Sequence, residues 1–157
     1  MSKQMAKTKT PLKLKIRIPH VVLDVRDADP ALVDAILPGL DELPARFRLL
    51  GTAGKTLPHA FSFEEAMEEG HIWVVLSKTL PSQFNMIIER GIVPVMLEGL
   101  HKDAENYNPV EESGNSFLFK KLGVWNVHAA IVRALENFSF AYDWENLRSQ
   151  GKGLMKL

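Results

Sequence analysis

The chain has 157 residues, no cysteine, and 19 basic against 19 acidic side chains, for a formal net charge of zero. That size suits one domain, which buries roughly 70% of its unfolded surface and needs no disulfide or metal to fold. Lack of cysteine excludes a disulfide framework, a thiol nucleophile and Cys-ligated zinc or iron–sulfur sites, and fits the expected cytoplasmic location. No apolar run approaches the roughly 20 residues of a membrane span. The N-terminal lysines have no apolar stretch behind them of the kind a secretory signal needs, so no membrane partner is expected.

Charge is unevenly spread. Residues 1–17 carry six basic side chains and no acid, which leaves 13 basic against 19 acidic in the remainder. Residues 1–10 read as a disordered basic tail and 11–157 as a single domain. The basic stretch has no interleaved aromatic residue for base stacking, so it reads as a solvated arm with lysines guarding a strand edge, and nucleic acid is not the expected partner.

From Leu12 the pattern alternates, with Leu12, Leu14, Ile16 and Ile18 on one face and Lys13, Lys15 and Arg17 on the other. That is a period-two edge strand, interrupted by Pro19. His20 to Val25 continues it or forms a second strand. Asp29 to Leu43 has helical spacing, with Asp29 as N-cap and Pro30 in the first turn; Pro38 predicts a kink or an early end. Phe47 to Leu50 is a short strand closed by Gly51. Ser62 to Glu69 is a helix opened by a capping box of Ser62 and Glu65, with its acids on a solvated face. Ile72 to Leu76 is wholly apolar, as a strand covered on both faces should be.

Ser82 to Glu89 is a short helix and Ile92 to Leu97 the next buried strand, where Pro94 must face a position without a ladder bond. Gly99 to Ser113 is a polar loop and Ser116 to Phe119 a short strand. Trp125 to Phe138 is the clearest helix, with Val127, Ile131, Ala134, Leu135 and Phe138 on one stripe. Tyr142 to Gln150 is the last helix. Trp73, Trp125 and Trp144 are expected in the core. The alternation predicts an α/β fold: a parallel sheet with helices on both faces.

In such a sheet, ligands sit beyond the carboxyl ends of the strands. The candidates are therefore Gly51 to Lys55, Ser77 to Ser82 and Glu98 to Asp103. Gly51-Thr-Ala-Gly54-Lys55-Thr56 is not a P-loop, because two residues separate its glycines where four are needed. No histidine pair has metal-ligand spacing. His128 is expected at the surface, and His101, just past a strand, is the histidine placed to touch a ligand. A serine-hydrolase elbow is absent.

The order of motifs resembles the C-terminal lobe of bacterial glycogen and starch synthases. The resemblance rests on Ile72-Trp-Val-Val-Leu76-Ser77, Leu80-Pro81-Ser82, Arg90-Gly91-Ile-Val-Pro-Val95, Gly99-Leu100 with Asp103, Gly114-Asn-Ser-Phe-Leu-Phe119 and Arg133-Ala134-Leu135. It implies a Rossmann-like domain that holds a nucleotide sugar, ADP- or UDP-glucose, with no further cofactor. By that likeness Arg26 meets phosphate, Thr52 and Ser77 offer hydroxyls, Gly99 and Leu100 offer backbone N–H groups, and Lys78, His101 and Asp103 lie within reach.

The departures weaken the expected chemistry. Leu80 replaces the family's donor-sugar glutamate, Glu98 replaces the first glycine of Gly-Gly-Leu, and the phosphate-clamping lysine falls on Ala31. Asp103 is displaced by one residue, and the helix after Phe84 is about two residues short. Only about 20 residues precede the first buried strand, far fewer than the ~100 of a further domain. The expectation is a lobe that binds a nucleotide sugar without catalysing transfer alone, or a module that kept the fold and lost the donor site. A second protein chain is an expected partner.

Overall fold

A computed structural model describes residues 17–51 and 62–155. The basic tail, the alternating run from Leu12 to Ile16, and Thr52 with the rest of its glycine-flanked turn lie outside the described residues.

Five parallel strands form one sheet: β1 (His20–Asp24), β2 (Arg46–Leu50), β3 (Ile72–Val75), β4 (Val93–Leu97) and β5 (Phe117–Phe119). Their spatial order is β2-β1-β3-β4-β5. The helices are α1 (Pro30–Leu40), α2 (Phe63–Glu69), α3 (Phe84–Glu89), α4 (Val124–Phe138) and α5 (Ala141–Gln150), followed by a 3-10 turn at Gly151–Met155.

Strand parity divides the core. Val21, Leu23, Ile72, Val74, Val93, Val95, Phe117 and Phe119 pack towards α1, α4 and α5, against Val33, Ile36, Ile131 and Trp144. Val22, Trp73, Val75, Met96 and Leu118 pack the other way, against Met67, Ile87 and Leu154. Coverage on both faces explains why β3 and β4 carry no charged or amide side chain. This is the doubly covered Rossmann-like sheet that the alternation of elements predicts.

Local chemistry sets the helix starts. Asp29 caps α1 by accepting from the Ala31 N–H at 3.0 Å, with Pro30 at the first position. Pro38 sits inside α1, which stops at Leu40, short of the predicted Leu43. Both bonds of the Ser62–Glu65 capping box are present, at 3.1 and 3.0 Å. Pro94 is accommodated by alternation: the Val93 N–H bonds across to the His71 carbonyl, so position 94 faces β5, where pairing starts only at Val95.

Two expectations need correction. Trp125 is 80% exposed, whereas Trp73 and Trp144 are buried. It stands two residues before the buried Val127, about 200° around the helix from the apolar stripe. His128 is half-buried rather than on the surface, resting over Gly39 with its ring edge-on to Trp125.

Candidate functional site

The strand order reverses its winding between β1 and β3, and a crevice opens beyond their carboxyl ends. It encloses about 260 Å³ and is lined by Asp24, Arg26, Asp27, Val75, Ser77 and the segment Thr79 to Gln83. A topological switch point of this kind is where open α/β sheets place ligands.

A buried carboxylate organises the crevice. Asp24 ends β1 with 3% exposure, on the same sheet face as Trp73. Its Oδ2 accepts from the Trp73 indole Nε1 at 3.0 Å and from Arg26 Nη2 at 2.8 Å, and its Oδ1 accepts from Arg26 Nε at 2.9 Å. The fork-to-fork pairing fixes the guanidinium plane. Arg26 Nη1 points to the Gln83 side-chain oxygen at 3.4 Å, and the guanidinium carbon lies 5.6 Å from the Phe63 ring centre. The hydrogen bonds it donates to Asp24 push the Arg26 pKa up, so it stays charged at any working pH.

Arg26 is therefore no free clamp. Two of its five N–H donors go to Asp24 and a third leans on Gln83, which leaves two to meet a ligand. Asp24 was not among the candidates read from the sequence. Its signal was an acid at the end of an apolar run with an arginine two residues on, since a buried carboxylate needs a partner.

The other candidates separate. Ser77 is buried in the crevice wall, where its Oγ donates to the Thr79 carbonyl at 2.8 Å. Lys78 is exposed and does not line the crevice. Gly99, Leu100, His101 and Asp103 lie on the loop after β4. Gly99 has φ +93° with open space around its Cα, so a close approach of another group is possible there. The Leu100 N–H, expected to be on offer, is turned back onto the Leu97 carbonyl at 3.3 Å. His101 Nδ1 accepts the Asp103 N–H at 3.0 Å, and its ring tilts against Phe84. These loop residues do not join Arg26 and Ser77 in the crevice lining. Glu98 is exposed beside them.

The long loop is held from beneath. Asn115 Nδ2 donates to the Asp103 carbonyl at 3.1 Å and Asn115 Oδ1 accepts the Glu105 N–H at 2.9 Å. Asn106 Oδ1 takes the Leu118 N–H and an Arg133 donor, both at 3.0 Å. No cluster able to hold a metal ion occurs among the described residues, and none of their helices is long and apolar enough to cross a membrane.

A Rossmann-like lobe with a polar crevice at its switch point thus defines the architecture. Comparison with known proteins agrees with the resemblance drawn from the motifs. Glycogen synthase 1 of Synechocystis sp. is 29% identical over 80 residues, an alignment that takes in 45% of this chain and 17% of the relative. The catalytic domain of starch synthase IV from Arabidopsis thaliana, in a structure bound to ADP and acarbose, superposes with a TM-score of 0.64 at 15% identity. That superposition covers 92% of this chain and 36% of the plant domain. No family model matches. The chain is thus similar to glycogen synthase in sequence, shares the fold of part of the starch synthase domain, and spans well under half of either relative.

Proposed function

We propose that this chain is a donor-type lobe that binds a nucleotide sugar, ADP- or UDP-glucose, in the β1/β3 crevice and does not catalyse hexosyl transfer by itself. The observation that carries the reading is the Asp24–Arg26 fork at the switch point. It holds a guanidinium rigidly, with two donors directed away from its carboxylate partner. A preoriented arginine meets a diphosphate with little ordering cost. Ser77, Ser82 and Gln83 add neutral polar groups for ribose or sugar hydroxyls, and the Gly99 loop leaves space at the next strand end. ADP in the starch synthase structure supports the ligand class. With Leu80 in place of the family's acid and Ala31 at the position of its phosphate-clamping lysine, the lobe orients a donor without stabilising a departing diphosphate. A cytoplasmic setting, where nucleotide sugars are made, goes with this reading.

Calorimetry with ADP-glucose, UDP-glucose and the free nucleotides tests it. Charge-assisted bonds contribute about 1.5–3 kcal/mol, so Arg26→Ala should weaken binding roughly ten- to hundredfold. Absence of heat with every donor sinks the proposal in favour of a non-enzymatic interaction module joined to a second chain. The compensation of Arg26 by Asp24, together with exposed Glu98, favours that second reading.

A further inference from the structure

Opposite the crevice, at the amino ends of β3 and β4, lies a separate hollow of about 240 Å³. Three arginines from distant parts of the chain line it: Arg17 before β1, Arg90 after α3 and Arg148 on α5. His71 and Glu145 are the other titratable groups in the lining. Three guanidinium charges against one carboxylate, with the imidazole neutral, leave two positive charges unbalanced.

The pairing within the hollow is incomplete. Glu145 is engaged by Arg148 Nη1 at 2.9 and 3.0 Å, and Arg148 Nε donates to the Gly91 carbonyl at 3.0 Å. Arg17 lies over the Phe138 ring, 4.9 Å from its centre. Neither Arg17 nor Arg90 forms an ion pair with a carboxylate among the described residues. Like charges gathered around a concave space disfavour the empty state, and planar guanidinium forks match tetrahedral oxyanions. The volume admits such an anion together with a few waters of ~30 Å³ each.

The geometry points to a second binding site, in which Arg17, Arg90 and Arg148 hold a phosphate-type oxyanion, either inorganic phosphate or the phosphate group of a small phosphomonoester. It does not depend on the donor reading, because the lengths of β3 and β4 separate it from Arg26. His71 reports on the site. Its Nδ1 accepts the His20 backbone N–H at 2.9 Å, which requires a neutral ring. Burial, then the charges of His20, Arg17 and Arg148, push its pKa down to about 4. Phe138 covers the ring, and Glu69 stands 4.0 Å from His20 Nδ1. An anion among the arginines offsets the positive charges, so binding must raise the His71 midpoint.

The experiment is NMR of the His71 ring in the full chain, titrated with inorganic phosphate at constant ionic strength against sodium chloride. The expected result is a saturable shift, an upward move of the His71 midpoint, and binding weakened about fivefold or more by Arg90→Ala or Arg17→Ala. Arg26→Ala should leave it unchanged. A parallel titration with methyl phosphate separates the sources: tighter binding than inorganic phosphate supports an ester, weaker binding supports the free ion. A linear response, an equal response to chloride, or wild-type behaviour of both surface-arginine variants overturns the proposal.

Discussion

Replacing Asp24 with alanine exposes how the crevice is held. The carboxylate is almost fully buried and accepts from Arg26 and from the Trp73 indole, whose side chain is fully buried. Arg26 is partly exposed, with 32% of its side chain accessible, so water can take over much of its bonding. The Trp73 N–H has no such recourse, and an unsatisfied buried donor costs about 1–3 kcal/mol. Adding the loss of a partly exposed ion pair, discounted for screening, gives about 2–4 kcal/mol for Asp24→Ala. In a chain of this length each kcal/mol moves Tm by about 2–4 °C. Asp24→Asn keeps an acceptor for Trp73 and should cost roughly half as much. Urea unfolding followed by far-UV circular dichroism measures both variants, and Trp73→Phe in each background isolates the indole bond. A cost below about 0.5 kcal/mol for Asp24→Ala, or no coupling to Trp73→Phe, would refute the reasoning.

Other expectations follow from the same geometry. His71 is neutral when folded, with a pKa near 4 against an ordinary value of 6.5. The unfolded chain therefore binds more protons between those values, so stability is complete above pH 6.5 and falls as pH drops towards 4. Discounted for partial exposure, the loss is about 1–2 kcal/mol, and His71→Asn should flatten the dependence of the urea midpoint on pH. Gly114 has φ +116°, and a Cβ there would meet the Tyr107 backbone at 2.5 Å. Gly114→Ala should cost about 3 kcal/mol or more by thermal unfolding. Gly91→Ala, also at positive φ, displaces only the movable Arg148 side chain and should cost about 1–2 kcal/mol.

Much of the fold was legible because local signals agreed with the global pattern. The capping box at Ser62, the Asp29-Pro30 start and the apolar β3 each formed as their chemistry dictates. The α4 stripe forms as its spacing predicts, whereas Trp125, expected in the core for its bulk, stands outside because its angle around the helix decides. The site was less legible. Arg26 and Ser77 lie in the crevice, but nothing in their own spacing disclosed that Arg26 would be gripped by Asp24. Leu100 was expected to offer an N–H that a turn consumes, since the direction of a loop amide depends on φ and ψ angles that residue type does not fix. The arginines of the hollow stand 73 and 58 positions apart along the chain, so only tertiary packing brings them together.

The Asp24–Trp73 bond also bears on how the sheet finds its alignment. It spans the one strand pair where successive units turn from one side of the sheet to the other. Sliding β1 by one residue would turn Asp24 towards α1 and α4, among buried side chains such as Val33, Ile36 and Ile131. A stranded carboxylate there costs several kcal/mol, so a misaligned sheet is penalised out of proportion to the few contacts it loses. On that account the residue that organises the crevice at the switch point also selects a single pairing from the near-equivalent ways of stacking short, apolar, parallel strands.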